Sequence, residues 1–317
     1  MTTSGSIDFS VSRDQLIESA LKHISVLGDG VTPSATQLSE ASVILNMIVK
    51  AKMADGMPLW AMKTGYILPQ TGVTAINLGV TGDHATLSYT QTTSSAAAVA
   101  GASTISVTSA TGFASTYYIG IELADNTMQW TTINGAPSGT TITLTEALTG
   151  AMSSGAQVYV YQTKLQRPLR IVDAYRTNVL TSTRAPINIR TYQQFHALGN
   201  FTDASIPNQI YYDPQVTNGI LNVYPQFSTG DYVLEIRFHR PFEDFDAATD
   251  TPDFPQEYYL PLMVTLAWLL APKNGVPLDE RKLLQQEAQM LWDNALSNGT
   301  EEGSMNLQPF PDWGYSR

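Results

Sequence analysis

The chain has 317 residues, of which 43% are hydrophobic and 14% charged, a balance typical of a folded protein rather than a disordered one. Its net charge of −11 argues against tight sequence-specific DNA binding, which needs a basic surface. The absence of cysteine excludes disulfide scaffolds and cysteine-ligated metals.

Two amphipathic helices are predicted at the N-terminal end. Ser12 and Gln15 have the spacing of a capping box, and apolar residues follow at helical intervals until Gly28. Ser34 and Gln37 repeat this arrangement ahead of a second apolar stripe. The short connecting loop predicts an antiparallel helical hairpin.

A second helical hairpin is predicted between Phe254 and Asn298. Residues 258–271 carry no charge and place apolar side chains on every face, so their helix must be buried. This run is shorter than the roughly 20 residues that cross a bilayer. Asp253 is expected to cap this helix, and Pro277 to open the amphipathic helix that follows. Neither hairpin covers its stripe alone, so we expect the two to pack together.

The middle of the chain changes in composition. Between Lys63 and Lys164 there is no lysine or arginine, and Ala, Ser, Thr and Gly dominate. Short alternating runs separated by Gly, Asn-Gly and Pro-Ser-Gly turns indicate strands. We interpret residues 90–162 as a small all-β domain inserted into the host domain; the alternative is a disordered Ser/Thr-rich linker. Removing the insertion is expected to leave the host domain folded.

The sequence therefore predicts an α+β fold. A four-helix bundle would be formed by the N- and C-terminal helical hairpins, with a central β-strand region and the inserted all-β domain. The host domain would comprise residues 1–89 and 163–299, the insertion residues 90–162, and an extended C-terminal arm residues 300–317.

A row of basic residues begins where the host domain resumes. Only one acid, Asp173, lies among them. Two interpretations stay open: a solvated strand face, or a contact with phosphate or with an acidic partner surface. The residues are Lys164, Arg167, Arg170, Arg176, Arg184 and Arg190.

No catalytic, cofactor-binding or metal-binding motif is recognisable. The four histidines are scattered, and none has a second ligand at a metal-binding interval. Asp244 and Asp246 have a calcium-like spacing, but the glycine and final glutamate of an EF-hand loop are missing. We expect a solvated acidic loop there, and a protein that is not an enzyme.

Two stretches resemble one family of proteins. They run from Ala20 to Trp60 and from Asp244 to Ala288, and together they cover both helical hairpins. The chain is similar here to the head-to-tail adaptor, or head-completion, proteins of short-tailed bacteriophages. The inserted β domain departs from the minimal pattern of that family.

The resemblance implies a homo-oligomeric ring, usually a dodecamer, that docks on the portal protein. Such a ring extends the DNA channel toward the downstream tail nozzle or tube protein, helps retain the packaged genome and provides the platform for tail attachment. The chain would be assembled in the host cytoplasm and lie in the neck of the virion, without cofactor or membrane contact. Double-stranded DNA would pass without sequence specificity, since an acidic wall repels phosphate.

The C-terminal residues 300–317 are predicted to form a docking arm. Two prolines exclude a helix, yet the segment carries Phe310, Trp313 and Tyr315. We expect these aromatic residues to anchor the arm on the portal. The alternative is a terminus whose aromatic residues fold back on the subunit.

A second functional hypothesis concerns the insertion. Its aromatic residues Trp130, Tyr117 and Tyr118 could supply stacking faces for sugars. The chain would then be a glycan-binding module associated with a phage tail or fibre.

Overall fold

The computed structural model describes residues 5–28, 30–55 and 59–298. The chain divides into two compact units. Unit 1 consists of Met1–Trp60 with Phe242–Arg317, and unit 2 consists of Ala61–Pro241. Within the described residues, unit 1 holds four α-helices, whereas unit 2 holds seventeen strands and one short α-helix.

The helices are α1 Arg13–His23, α2 Ala35–Asp55, α3 Tyr192–His196, α4 Tyr259–Leu270 and α5 Leu278–Asn298. Both predicted capping boxes are confirmed. Ser12 and Gln15 exchange side-chain to backbone hydrogen bonds at the start of α1, and Ser34 and Gln37 do the same before α2. Neither Pro255 nor Tyr258, the N-cap residues at the start of α4, makes a side-chain cap hydrogen bond, and the Asp253 carboxylate accepts the N–H of Glu243 at 3.0 Å; the predicted Asp253 cap stays a prediction.

Helix α4 is the centre of unit 1. Helices α1, α2 and α5 all pack against it, and among its residues only Leu260 and Leu269 are exposed. The side chains that cover it come from the apolar stripes of the three surrounding helices. They include Leu16, Ile17, Ala20, Leu21, Ala41, Leu45, Ile48, Val49, Ala288, Trp292 and Ala295.

Unit 2 is built from short strands. They are β1 Met62–Ile67, β2 Ala75–Leu78, β3 Ala85–Thr86, β4 Thr90–Thr93, β5 Thr104–Ser106, β6 Tyr118–Glu122, β7 Met128–Thr132, β8 Thr141–Thr143, β9 Gln157–Tyr161, β10 Arg170–Asn178, β11 Thr183–Pro186, β12 Asn188–Ile189, β13 Ala204–Ser205, β14 Gln209–Asp213, β15 Gly219–Tyr224, β16 Gln226–Phe227 and β17 Tyr232–His239. A five-stranded sheet, β11-β10-β17-β1-β3, and a four-stranded sheet, β12-β14-β15-β2, enclose one apolar core.

Strands β4 to β9 form a closed arrangement. A four-stranded sheet, β4-β9-β6-β7, and the pair β5-β8 are joined at both ends, by the bridge between Ser94 and Val107 and the bridge between Ile133 and Leu144. Closing a sheet removes its free edges, and the inward side chains form a second apolar core. These strands lie inside the range predicted for the insertion, whose independence as a domain stays a prediction.

The closed sheet is held to the rest of unit 2 by buried polar contacts. Gly230 lies in the turn before β17, and both of its backbone polar groups are hydrogen-bonded. Its N–H donates to Glu122 at 2.9 Å, and its carbonyl accepts from the Tyr159 hydroxyl. The Trp130 indole N–H donates to the Pro69 carbonyl at 3.1 Å. An apolar cluster containing Leu68 and Tyr159 surrounds these contacts.

The predicted fold class, an α+β fold built on a four-helix bundle, is wrong. Seventeen strands in five sheets supply most of the regular structure of the described residues, beside five α-helices. The error has a physical cause. Long amphipathic helices give a strong periodic signal, whereas strands of two to nine residues give a weak one, and sequence alone overweights the helices.

In the part of the chain that the structure describes, the helices are too short or too polar to traverse a lipid bilayer.

We expect Glu122→Ala to destabilise unit 2. Both Glu122 carboxylate oxygens accept backbone N–H groups, from Gly230 and Gln157, and these buried donors would lose their acceptors. The cost should be about 1–3 kcal/mol of unfolding free energy, measured by urea denaturation. Glu146→Ala, at an exposed position of the same sheet region, is the matched control. Equal stability of the two variants would contradict the proposed role of Glu122.

Candidate functional site

The six predicted basic residues do not converge on one site. Five of them bind neighbouring atoms of unit 2, and Arg170 lies exposed on β10. Lys164 donates to the Gly82 carbonyl, Arg167 to the Gln215 carbonyl, Arg176 to the Pro207 carbonyl, Arg184 to Glu235 and Arg190 to Gln209. Most of this row therefore braces turns and strands, and its contact with phosphate or an acidic partner stays a prediction.

Two of the three aromatic residues proposed for sugar stacking, Trp130 and Tyr118, are covered on their faces, and Tyr117 packs partly buried against the core of the closed sheet. Trp130 stacks on His84 with ring centroids 3.9 Å apart, and its indole lies over Gly120, where an added Cβ would come within 2.6 Å. Tyr118 stacks on Tyr161 at 4.9 Å, and the Lys164 ammonium lies 5.0 Å from the centroid of Tyr118. These rings belong to the apolar cluster that packs the closed sheet against the rest of unit 2.

A small cavity of about 200 Å³ remains beside these rings. Trp130 and Tyr118 line it, together with three threonines and Glu146. Aromatic residues next to polar and acidic ones are suited to a small polar ligand.

His84 is the most strongly perturbed base at this junction. Burial, helped by the positive charge of Lys164, lowers the pKa of His84 from 6.5 to about 3. Its Nδ1 atom lies 2.9 Å from the Tyr161 hydroxyl. The imidazole is therefore neutral at physiological pH and acts as a packed, hydrogen-bonded ring.

The acidic loop before α4 is organised by its own backbone. The Asp250 carboxylate accepts the N–H groups of Asp246 and Ala247, and these bonds lower its pKa. Asp244 pairs with Lys50 of α2. The carbonyl of Asp250 accepts the N–H of Arg13, so the loop also satisfies the start of α1. No cluster of three or more His, Asp or Glu residues suited to a metal ion occurs among the described residues.

Two apolar stripes on unit 1 were not singled out from the sequence. Val43 and Met47 on α2 are 51% and 64% exposed, and Leu283 and Met290 on α5 are 66% and 57% exposed. Their spacings of four and seven residues place each pair on one helix face. These stripes could have been found in the sequence, because each pair consists of apolar residues at helical spacing that do not belong to the apolar stripe buried by the same helix.

A cavity of about 390 Å³ opens between α2, α4 and α5. The rings of Trp268 and Trp292 line it, beside Lys52, Gln285, Gln289 and Asp293. The Trp292 indole N–H donates to the Thr265 hydroxyl at 2.8 Å, which fixes the ring. No sequence signal connects Lys52 with Trp292, since the two lie far apart in the chain.

The predicted docking arm, with Phe310, Trp313 and Tyr315, lies outside the described residues. Its role therefore stays a prediction.

Comparison with known proteins gives little. No protein-family model and no curated protein matches the chain. Among solved structures, the Gp54 tailspike of Acinetobacter baumannii bacteriophage AP22, in complex with A. baumannii capsular saccharide, is similar to part of it, with 14% identity and a TM-score of 0.23. The match covers 25% of this chain and 16% of the tailspike chain, an extent that assigns neither fold nor function.

The stability of unit 2 is expected to fall as the pH drops below 6.5, through His84. The unfolded chain takes up a proton near pH 6.5, whereas the folded imidazole stays neutral down to about pH 3. Each pH unit in this window should cost up to about 1.4 kcal/mol. Relative to the wild-type protein, His84→Gln should flatten the pH dependence between about pH 6.5 and 5. Equal slopes by urea unfolding would refute this role.

Proposed function

We propose that the chain is a structural, non-enzymatic subunit of a bacteriophage particle that acts as a head-to-tail adaptor. In this proposal a homo-oligomeric ring docks on the portal protein in the neck of the virion. The ring extends the DNA channel, helps retain the packaged genome and forms the platform for the tail.

The observation that carries the proposal is the pair of exposed apolar stripes on unit 1. The α2 stripe (Val43 and Met47) differs from the α5 stripe (Leu283 and Met290), so contact between them joins unlike surfaces of neighbouring copies. Such head-to-tail contacts repeat from copy to copy and form rings when the rotation closes.

The composition of the stripes supports an interface. Residues 41–49 of α2 contain no charge, and between Lys282 and Asp293 of α5 the only charged side chain is that of Glu287. The centres of protein interfaces are depleted of charge and enriched in methionine and aromatic residues. Unpaired apolar surface of this kind is costly in a subunit that remains alone.

The net charge supports the passage of DNA. An excess of acidic groups gives a surface that repels phosphate and does not retain the like-charged duplex. A channel wall of this sign lets the genome slide rather than bind.

Glycan binding in a tail or fibre is the second candidate. The observation that favours it is the cavity of about 200 Å³ that Trp130 and Tyr118 line together with threonines and Glu146. A glycan array separates the two functions. Specific sugar binding that is lost in Glu146→Ala would favour this candidate over the adaptor.

We expect Met47→Glu and Met290→Glu each to weaken assembly, because a charge placed in the α2 or α5 stripe must be buried. A mixture of the two variants should stop at dimers. The intact α5 stripe of the Met47→Glu variant can bind the intact α2 stripe of the Met290→Glu variant, but the two stripes left at the ends of this dimer both carry the introduced charge. Val216→Glu, at a 91% exposed position of unit 2, is the control. Native mass spectrometry with and without portal protein measures this. Unchanged assembly of either variant, or a stable monomer that ignores portal, would refute the ring.

Docking on the portal should depend on the C-terminal arm. The double variant Phe310→Ala/Trp313→Ala is expected to remain folded but to lose attachment, because buried aromatic anchors each contribute about 2 kcal/mol or more. Many arms engage one portal, so the losses multiply. Attachment to portal-bearing heads is measured by co-sedimentation, and normal attachment of the double variant would rule out the arm.

A further inference from the structure

The chain contains four Asn-Gly pairs, Asn134–Gly135, Asn218–Gly219, Asn274–Gly275 and Asn298–Gly299. In such a pair the backbone nitrogen of the glycine can attack the side-chain carbonyl carbon of the asparagine, because the glycine has no Cβ that would shield its nitrogen. The attack needs a side chain that is free to turn toward that nitrogen, and space in which the new ring can form. The first three pairs lie within the described residues, and they differ in both respects.

Asn134–Gly135 meets both requirements. The pair lies in the turn after β7, and both residues are exposed. In the described part of the chain nothing hydrogen-bonds the Asn134 side chain, and a Cβ added at Gly135 would meet no atom within 4 Å. The Gly135 N–H donates to the Ser115 hydroxyl at 3.2 Å, so an acceptor already lies beside the proton that this nitrogen must release.

The other two described pairs are restrained. The Asn218 side-chain amide donates to the Thr81 hydroxyl at 3.0 Å and accepts from it at 3.2 Å. Gly219 is buried, and an added Cβ would come within 2.0 Å of a tyrosine hydroxyl. The Asn274 side-chain amide donates to the Leu270 carbonyl at 2.9 Å. Both asparagine side chains must therefore break hydrogen bonds before they can turn toward the next nitrogen.

We propose that Asn134 is a site of spontaneous covalent modification in the folded protein. The Gly135 nitrogen forms a bond to Cγ of Asn134, and the side-chain nitrogen leaves as ammonia, which takes up the proton lost by the Gly135 nitrogen. Water then opens the resulting cyclic imide. Opening at Cγ leaves aspartate, and opening at the main-chain carbonyl carbon leaves isoaspartate. Water is the one co-reactant, and the reaction does not depend on the proposed function.

Isoaspartate at this position would act on the closure of the sheet. The Asn134 N–H donates to the Thr143 carbonyl at 2.8 Å, directly beside the bridge between Ile133 and Leu144 that joins β7 to β8. Isoaspartate lengthens the main chain of the turn by one carbon atom and adds a negative charge. The turn then no longer matches the spacing of the two strands, so this end of the closed sheet is expected to open.

The modification is tested by ageing the full-length protein at mildly alkaline pH and following its chymotryptic peptides by mass spectrometry. A sample kept in urea gives the unfolded rate of every pair, so that each site serves as its own reference. Asn134 should react in the folded protein within about threefold of its unfolded rate, whereas Asn218 should be slowed about tenfold or more, because it reacts only after local opening. Chromatographic separation of the isoaspartyl and aspartyl peptides identifies the products. Equal slowing of Asn134 and Asn218, or no reaction of Asn134 in the folded protein, would overturn the proposal.

Hydrogen exchange tests the effect on the sheet. The matched control is Asn134→Gln, which closes the corresponding larger ring far more slowly but keeps the other three pairs. After the same ageing, the amides of β7 and β8 should exchange faster in the wild-type protein than in Asn134→Gln. Equal exchange in the two proteins, once isoaspartate has formed, would overturn the opening of the sheet.

Discussion

The organisation of unit 1 depends on the burial of α4, a helix without charge. A helix that is apolar on all faces cannot be stable in water, and each segment that covers it brings a stripe of its own. Because those stripes lie on α1, α2 and α5, the two ends of the chain are drawn into one unit. At about 25 cal/mol for each Å² of apolar surface removed from water, this mutual burial is the main term that holds the unit together. The loop around Asp250 adds the polar part, since it satisfies the backbone at the start of α1.

In unit 2 the corresponding constraint is polar satisfaction at Gly230. Without partners, the buried N–H and carbonyl of Gly230 would leave two hydrogen bonds unmade, and Glu122 and Tyr159 of the closed sheet supply both partners. The aromatic rings around Trp130 belong to the same apolar cluster as Tyr159. The same rings are thereby used for structure, which explains why residues that suggested sugar stacking in the sequence expose so little of their faces.

Sequence reasoning succeeded where the cause is local. The Ser12 and Ser34 caps depend on a residue three positions away, and the burial of most of residues 258–271 depends on their own lack of charge, although Leu260 and Leu269 remain exposed. It failed where partners are distant: nothing near Trp130 reveals His84 or Gly120, and nothing near Arg176 reveals the Pro207 carbonyl. The fold class failed for a related reason, because pairings such as β1 with β17 join strands more than a hundred residues apart. The α2–α4–α5 cavity could not be predicted at all, since it is a space left by packing.

The stretch without lysine or arginine between Lys63 and Lys164 has a practical consequence. Trypsin finds no cleavage site in it, so the whole closed sheet leaves a digest as one long peptide, folded or not. Amine-directed labels and cross-linkers likewise find no side-chain target there. Any proximity map of this protein that relies on lysine chemistry will therefore report unit 1 and, in unit 2, only Lys63 and Lys164, and will be blind to the closed sheet between those two residues.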